Sequence, residues 1–349
     1  QWFVASNGND ANIGLGWDQE VATISNEVRK AHLAGGGLVE VSNGVYVLTG
    51  GGISISAGTT VRGVNGRDYT VVDGNGTTRC FTLSHAGAVL QGLTVSNGYV
   101  GSGQVGGGVA GVQGSVYDCR ITHNTASNYY GGGIGIVPSV KTTITVTNCI
   151  LSHNRANSGG GLGVYDYNGV ASNIIVGCDF VSNTLYQRSE EPYGGGLLFW
   201  GSNLVVRGCR FYGNRHTYGS GSGYGAGLAV NPNAANVNVL IENSEFVGNI
   251  ITSVPSVNAG GGIYLASPGC VVRNCLLASN RCYGVPRGGG IYYQTPTNRI
   301  NVLESCTIVG NSTTVGYPSG AGAYIAGSGH VEVWNCLVWS NRETAAASD

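Results

Sequence analysis

Side chains capable of acid–base and anion-binding chemistry come together in one stretch of this 349-residue chain. Its acids are Asp166, which ends a β-like run, and Glu190 and Glu191 in a loop. Basic residues of the same repeats are Arg155, Arg188, Arg215 and His216. Carboxylates act as general acids and bases, and arginine binds anionic groups. The candidate catalytic set is therefore Asp166, Glu190, Glu191, Arg215 and His216, although ordinary surface-loop charges account for the same residues.

Aromatic side chains are concentrated near these charges. They occupy outward positions of strands that follow glycine triplets, or loops that precede the triplets: Tyr165, Tyr186, Tyr193, Trp200, Tyr218, Tyr264, Tyr292 and Tyr324. Together with Arg188, they are the candidate ligand-binding residues. Sugar rings stack on aromatic faces through their C–H groups, which favours an elongated glycan as the ligand. The alternative is that outward tyrosines stack on one another and simply suit a β-surface.

A short repeated unit must position these residues. In eight copies, Asn lies five residues after Cys or its one replacement, Ser244, and the units recur at steps of 29 to 35 residues. The first position is occupied by Cys119, Cys149, Cys178, Cys209, Ser244, Cys275, Cys306 and Cys336. The Asn positions are Asn124, Asn154, Asn183, Asn214, Asn249, Asn280, Asn311 and Asn341. So constant an offset at this period is typical of a solenoid.

Each unit divides into three β-like segments. A glycine triplet opens the first, an aliphatic residue three positions before Cys marks the second, and the third joins Cys to Asn. Three strands and three corners per turn, with like residues in register, predict an all-β, single-stranded parallel β-helix of about eleven coils. Helical repeats are disfavoured because the units contain β-branched runs and no helix-length apolar period.

Residues 1–36 differ from the repeats. The segment from Asp18 to Leu33 has a helical apolar pattern, so we expect 1–36 to form an N-terminal cap of strand, loop and amphipathic helix. Residues 37–349 are then the β-helix, with regular repeats from about residue 92. No cap is recognisable after Asn341, so we expect an uncapped coil that self-associates, docks on another chain or is continued by the native polypeptide.

Alternation places the Cys and Asn columns inside the coils. Stacked cysteines with parallel Cβ vectors about 4.8 Å apart do not fit the roughly 3.8 Å of a disulfide, so the column is interpreted as packing thiols. Cys270 and Cys282 lie outside it, and a local bridge there is the less favoured alternative. The Asn side chains should form an amide ladder along the axis.

Two further columns have structural interpretations. Arg207, Glu242, Arg273 and Glu304 alternate in sign from coil to coil, which predicts ion pairs between neighbouring coils. His123 and His153 share one corner position in adjacent coils. They are expected to be stacked surface imidazoles rather than a metal site, because a third ligand is missing nearby.

Composition limits the partners. The net charge is −1 and 10% of the residues are charged, which argues against nucleic acid and against electrostatic docking on membranes. No apolar run approaches the roughly 20 residues needed to span a bilayer.

Several segments carry a family resemblance. The corners NCILSHN (148–154), NCLLASN (274–280) and NCLVWSN (335–341), the glycine-triplet strands and the opening WFVASNGNDANIG resemble right-handed parallel β-helix proteins. These proteins form the pectate-lyase-like superfamily, which includes polymorphic outer-membrane repeats. The resemblance implies the right hand of the coil, and it covers lyases, hydrolases, adhesins and passenger domains.

The resemblance also sets requirements for an enzyme. A lyase would need a Lys or Arg base with Ca²⁺ or a second base, but the lysines are Lys30 and Lys141 and no calcium-type acid cluster is present. A hydrolase would need acids roughly 5–9.5 Å apart on adjacent strands, for which Asp166, Glu190 and Glu191 are the candidates.

The sequence favours a non-catalytic, adhesin-like scaffold that is secreted or on the cell surface and contacts glycans or other protomers. The alternative is a polysaccharide lyase or glycoside hydrolase acting on an anionic polysaccharide beside the glycine-triplet strands. No cofactor is expected, except calcium if the protein is a lyase.

Overall fold

The computed structural model describes residues 1–186, 192–217, 221–231, 237–252, 257–295, 299–314 and 319–344. Over these residues the chain winds into a right-handed parallel β-helix, in which each strand pairs in parallel with its equivalent in the next coil. The predicted fold class is confirmed. The described residues make about nine turns, so the predicted count of about eleven coils was slightly too high.

Each regular coil has four strands in the described residues, one more than predicted. In one coil they are Val109–Gly111, Ser115–Tyr117, Arg120–Thr122 and Thr125–Tyr130. The unpredicted strand follows the ladder Asn and pairs with its equivalent one coil on, as Thr125 does with Arg155. It was missed because this segment is short and polar, without the alternation that marks the other strands.

We name the four sheets by their position in the unit. The strands of the glycine sheet, which follow the glycine triplets in regular coils, are Ile53–Ile55, Phe81–Leu83, Val109–Gly111, Ile134–Ile136, Leu162–Tyr165, Leu197–Trp200, Leu228–Val230, Ile263–Leu265, Ile291–Thr295 and Ala323–Gly327. The strands of the pre-cysteine sheet are Trp2–Val4, Gly37–Val41, Thr59–Gly63, Val89–Gln91, Ser115–Tyr117, Thr142–Thr147, Ala171–Val176, Asn203–Arg207, Asn238–Glu242, Cys270–Arg273, Asn301–Glu304 and Val331–Trp334.

The other two main sheets complete the coil. The strands of the Cys–Asn sheet are Gly44–Val47, Thr70–Asp73, Thr94–Ser96, Arg120–Thr122, Ile150–Ser152, Asp179–Val181, Arg210–Tyr212, Glu245–Val247, Leu276–Ala278, Thr307–Val309 and Leu337–Trp339. The strands of the post-asparagine sheet are Tyr99–Val100, Thr125–Tyr130, Arg155–Ser158, Thr184–Leu185, Arg215–His216, Ile250–Ile251, Arg281–Cys282, Ser312–Thr314 and Arg342–Thr344. A small fifth sheet pairs Val257–Ala259 with Val285–Arg287.

The residue before each Cys and before each ladder Asn turns the corner with a left-handed backbone. Asn148 and Asn274 (φ 52° and 51°) do so before Cys, and His153 and Ser279 (both φ 55°) before Asn. Asn, Asp and Gly tolerate this conformation best, which explains the recurring Asn-Cys pair in the sequence. These corners direct the Cys and Asn side chains into the coil.

The asparagine ladder is continuous from Asn124 to Asn341, as predicted. Asn124 Nδ2 donates to Asn154 Oδ1 at 3.0 Å and to the Val95 carbonyl at 3.1 Å. Asn154 Oδ1 also accepts the Asn124 backbone N–H at 3.0 Å. The same pattern ends with Asn311 Nδ2 and Asn341 Oδ1 at 2.9 Å. Each interior amide is thus satisfied by the coils on both sides.

We expect Asn214→Ala to lower the free energy of unfolding by about 3 kcal/mol, because it leaves buried donors and acceptors of two neighbouring coils without partners. Denaturant titration followed by circular dichroism measures this change. The matched control is Asn238→Ala, which removes an exposed amide contact with Asn203 at 3.1 Å. Equal losses in the two variants would contradict a stabilising role for the ladder.

The cysteine column consists of free thiols that are buried except for the half-buried Cys336, and all ten cysteines of the chain are free. Their Sγ atoms lie near backbone carbonyls, as Cys119 Sγ does at 3.1 Å from the Tyr117 oxygen. Burial raises the pKa of Cys149 well above its ordinary value and raises the pKa of Cys270 and Cys282 to about 12. Cys270 and Cys282 are not bridged.

We expect one thiol to react with a maleimide in the folded protein well before the other nine. Cys336 is half-buried, whereas the others are buried and therefore shielded from reagent. Mass spectrometry of peptides after short labelling identifies the site, and Cys336→Ser should abolish the fast phase. Fast labelling of several column cysteines would show that the coils open locally.

The N-terminal helix covers the first coils. It spans Ile24–Leu33 and packs against the strands Gly37–Val41 and Ile53–Ile55. The predicted start at Asp18 was wrong, because Val21 forms a β-bridge with Val4 before the helix begins. Leu33, the last residue of the predicted apolar pattern, has a side chain that is 80% exposed.

At the other end, the last described coil exposes apolar residues. Val333 and Val338 are 49% and 53% exposed, whereas their equivalents Leu303 and Ile308 in the preceding coil are buried. Docking or self-association at this end stays a prediction.

One carboxylate joins three coils on the pre-cysteine sheet. Glu242 is 5% exposed and pairs with both Arg207 and Arg273, one coil to either side. Its hydrogen bonds with Arg207 and Arg273 lower the pKa of Glu242. The predicted alternation is therefore realised at Glu242, while no ion pair joins Arg273 to Glu304 among the described residues.

Since the folded-state pKa of Glu242 is depressed, its contribution to stability is present above the ordinary glutamate pKa and is lost as the pH falls through the lowered value. We expect Glu242→Gln to lower Tm at pH 7, with the difference from the parent protein vanishing near pH 3. Thermal melts across this pH range test the sign. Glu304→Gln in the same column is the matched control, and an equal effect there would contradict the prediction.

Candidate functional site

The outward face of the glycine sheet carries two columns of side chains. Register places Leu198, Ala229, Tyr264, Tyr292 and Tyr324 in one column. Tyr165 and Trp200 face one another in the second column, two residues further along their strands. Alternation within each strand directs these residues away from the core that contains Val164 and Phe199.

A second layer of tyrosines covers part of this face. Tyr130 and Tyr193 directly precede a glycine triplet, and Tyr224 precedes the equivalent Gly-Ala-Gly segment. Tyr193, Tyr224 and Ala259 form β-bridges from coil to coil. The chain then reverses at the first glycine of the triplet. A Cβ at Gly194 (φ +64°) would lie 2.2 Å from the Leu197 carbonyl oxygen, so glycine is required for this reversal.

Five aromatic rings converge at one end of the face, and we call Tyr129, Tyr130, Tyr165, Tyr167 and Trp200 the five-ring cluster. Ring centroids of Tyr130 and Tyr165 are 4.1 Å apart, and those of Tyr165 and Trp200 are 4.8 Å apart. Tyr167 is 51% exposed, and Tyr129, Tyr130 and Trp200 are half-buried. Burial raises the pKa of Tyr165 far above its ordinary value, so its hydroxyl stays neutral.

The remaining predicted tyrosines form a separate row along the same face. Tyr264 and Tyr292 stack at 5.2 Å, and Tyr292 and Tyr324 at 5.8 Å. Tyr264 is 6% exposed and Tyr292 is 4% exposed, and the rings of Tyr193 and Tyr224 pack against Tyr264 at 6.0 and 4.8 Å. Tyr193 and Tyr324 are half-buried. The row therefore packs mostly against its own protein.

The described members of the predicted catalytic set do not meet. Asp166 is 1% exposed, and its two carboxylate oxygens accept the backbone N–H groups of Val170 and Ala171 at 3.0 and 2.9 Å. Arg215 and His216 belong to the post-asparagine sheet, where Arg215 points to solvent and His216 is buried against Gly223. Glu190 and Glu191 lie outside the described residues.

Tyr186 stands apart from the other predicted ligand-binding residues, because it follows a strand of the post-asparagine sheet. The guanidinium of Arg155 lies 4.2 Å from the centre of its ring. Its hydroxyl accepts the Asn128 backbone N–H at 3.0 Å. Arg188 and Tyr218 lie outside the described residues.

Sequence reasoning missed Tyr129, Tyr130 and Tyr167. A signal was present, since tyrosine directly precedes the glycine triplet at Tyr130 as it does at Tyr193. Tyr167 offered none, because it lies in a turn after its strand and reaches the cluster only through the fold.

A cleft beside the cap was also missed. It has a volume of about 360 Å³, and its uncharged lining includes Thr23, Tyr46 and Leu48. Ser6 and the segments 22–25 and 45–52 form it, so no local sequence motif indicated it.

No metal-binding group of three His, Cys, Asp or Glu residues occurs in the part of the chain that the structure describes. The rings of His123 and His153 stack in parallel at 5.1 Å, as expected for a repeated corner position. In the same described part, no helix is long and apolar enough to cross a membrane.

Stacked parallel coils, a buried amide ladder and an aromatic outer face define a β-helix protein. The chain matches the family described as the right handed beta helix region over residues 108–286 and 222–348, and it belongs to that family. No curated protein matches the sequence.

Three solved structures illustrate the likeness. A pectate lyase shares 18% identity and a TM-score of 0.38, covering 99% of this chain and 81% of its own. A lacto-N-biosidase from Eubacterium ramulus shares 10% identity and a TM-score of 0.43, covering 97% of this chain and 68% of its own. An Azotobacter vinelandii mannuronan C-5 epimerase module shares 14% identity and a TM-score of 0.34, and the match covers 91% of this chain and 95% of that module.

Proposed function

We propose that this protein is a non-catalytic, adhesin-like β-helix scaffold that binds a neutral region of a glycan at the five-ring cluster. The observation that supports this most directly is the convergence of Tyr129, Tyr130, Tyr167 and Trp200, all partly accessible, around the buried ring of Tyr165. Aromatic rings at a protein surface offer apolar faces with polar edges. A pyranose ring has the complementary arrangement, with C–H faces and hydroxyl edges.

The charges around the cluster support binding over catalysis. The described acid of the predicted catalytic set is Asp166, whose carboxylate accepts two backbone N–H groups and is closed to solvent. A general acid or base must reach the proton it transfers, within about 3 Å or through one water. Asp166 instead fixes the turn that carries Tyr167, so its role is to position an aromatic residue.

The geometry of the rings suits an extended chain. Tyr165 and Trp200 are one coil apart, at a centroid distance of 4.8 Å, and Tyr167 lies 5.8 Å from Trp200. Successive sugars of a linear glycan can therefore contact successive coils. A secreted or cell-surface location belongs to the same proposal, because structural polysaccharides lie there.

The test measures binding to soluble neutral polysaccharides such as glucomannan, xyloglucan and galactomannan, by affinity gel electrophoresis and by tryptophan fluorescence. We expect Tyr167→Ala and Trp200→Ala each to weaken binding by about tenfold, since each removes a stacking surface worth roughly 1 kcal/mol or more. Tyr69→Ala is the matched control, because Tyr69 is 60% exposed and lies outside the cluster.

Unchanged affinity in both cluster variants would overturn the proposed site. Release of unsaturated uronates or new reducing ends from any polysaccharide would overturn the non-catalytic part and favour a lyase or hydrolase. Glu190→Ala and Asp166→Ala would then show whether the predicted acids carry that activity.

A further inference from the structure

The post-asparagine sheet carries a regular row of arginines on its outer face. The residue that follows the ladder Asn pairs with its equivalent through seven successive coils: Arg155, Thr184, Arg215, Ile250, Arg281, Ser312 and Arg342. Arginine therefore occupies every second coil, and we call the four residues the arginine row. Neutral side chains occupy the coils between them.

All four side chains of the row are exposed. None forms an ion pair with an acid among the described residues, in contrast to Arg207 and Arg210, which pair with Glu242 and Asp179. Buried neutral or thiol side chains such as Ala156 and Cys282 alternate with the row inside the coil. The row is thus a positive stripe on a protein whose net charge is −1.

The spacing of the row follows from the coil height. Adjacent parallel strands are about 4.8 Å apart, so arginines two coils apart repeat at about 10 Å. Six coil steps separate Arg155 from Arg342, which gives a stripe about 29 Å long. A pyranose unit in an extended chain is about as long as one coil is high, so alternate arginines match alternate sugars.

Tyrosines accompany the row in the next outward position. Tyr186 lies under the Arg155 guanidinium, and Tyr283 directly follows the strand Arg281–Cys282. Both tyrosines are half-buried. A guanidinium beside an aromatic ring offers a carboxylate partner and a stacking face for the same sugar.

We propose that the arginine row binds a linear acidic polysaccharide lying parallel to the β-helix axis, with a carboxylate on every second sugar. The planar guanidinium donates two parallel hydrogen bonds to a carboxylate, and this suits a repeated uronate. A nucleic acid fits less well, because each strand of a duplex carries a charge about every 3.4 Å, far more densely than the row. The row lies on the post-asparagine sheet, whereas Tyr165 and Trp200 of the five-ring cluster lie on the glycine sheet, and the row takes an acidic ligand.

The test compares four probes by surface plasmon resonance: hyaluronan, whose glucuronate alternates with a neutral sugar; polygalacturonate, with a carboxylate on every sugar; neutral dextran; and a single-stranded oligonucleotide. We expect hyaluronan to bind best and dextran not to bind, with affinity falling as salt is raised. Replacing all four row arginines by Gln should weaken hyaluronan binding by about tenfold or more.

Two controls separate the row from total charge. Arg215→Gln with Arg281→Gln is compared with Arg29→Gln plus Arg210→Gln, which removes two exposed arginines from other faces. The double variant Thr184→Arg with Arg215→Thr keeps the charge but places two arginines on adjacent coils. It should lower affinity for hyaluronan more than for polygalacturonate.

The proposal is overturned if the four-arginine variant binds hyaluronan as the parent does, or if both double-Gln variants lose equal affinity. Tighter binding of the oligonucleotide than of hyaluronan would also overturn it. So would an equal loss of affinity for hyaluronan and for polygalacturonate in the double variant Thr184→Arg with Arg215→Thr. Trp200→Ala should leave hyaluronan binding unchanged, so failure here and failure at the five-ring cluster are distinguishable. Melting temperatures show whether each variant is folded. The single variant Arg281→Gln repeats the hyaluronan measurement with the smallest change to the protein.

Discussion

The buried asparagine amide at each coil corner fixes the register of the entire β-helix. Its nitrogen donates to the following coil and its oxygen accepts from the preceding one, as Asn183 does with Asn214 and Asn154. A coil that slipped by one residue would break these bonds and would turn the apolar side chains outward. The amide therefore sets which residues of successive coils lie side by side.

Fixed register converts residue positions into straight columns, and each column can be used separately. Inside the coil, Phe180, Phe211 and Phe246 stack at 4.5 and 4.6 Å. Outside, Glu242 links three coils of one sheet while the arginine row runs along another. The ladder residues are buried and do not contact a ligand, but they determine the spacing at which outer side chains meet a long ligand.

The inner columns were predictable from sequence because the same residue types recur at them in every coil. Cys119 and Asn124 could be placed inside from their offset alone, and the glycine triplets marked the following strand. The fourth strand was missed because pairing there depends on backbone contact between coils, without a distinctive side-chain pattern. The position of Asp166 at the end of a strand made it a catalytic candidate, but the sequence did not indicate that its carboxylate would accept two backbone N–H groups of the following turn.

The sequence also did not predict which outward-facing side chains would be buried. Tyr264 and Tyr292 occupy outward positions, as alternation predicts, but both are buried, and Tyr193 and Tyr224 pack over Tyr264. Whether a loop folds back over a sheet depends on its length and on the reversal at the first glycine, which no period reveals. The five-ring cluster likewise includes Tyr167, a turn residue that directly follows Asp166, whose carboxylate accepts the backbone N–H groups of Val170 and Ala171.

The arginine row raises a question that stability alone does not answer. Like charges on adjacent coils repel, so an alternation of arginine with another residue is expected on any solenoid face. On the pre-cysteine sheet that other residue is an acid, and Glu242 neutralises arginines on both sides. On the post-asparagine sheet the intervening residues are Thr184, Ile250 and Ser312, which relieve repulsion without cancelling the charge. Acids at these positions would stabilise the coil stack further; neutral residues preserve a stripe of positive charge, which is what recognition of an acidic chain requires.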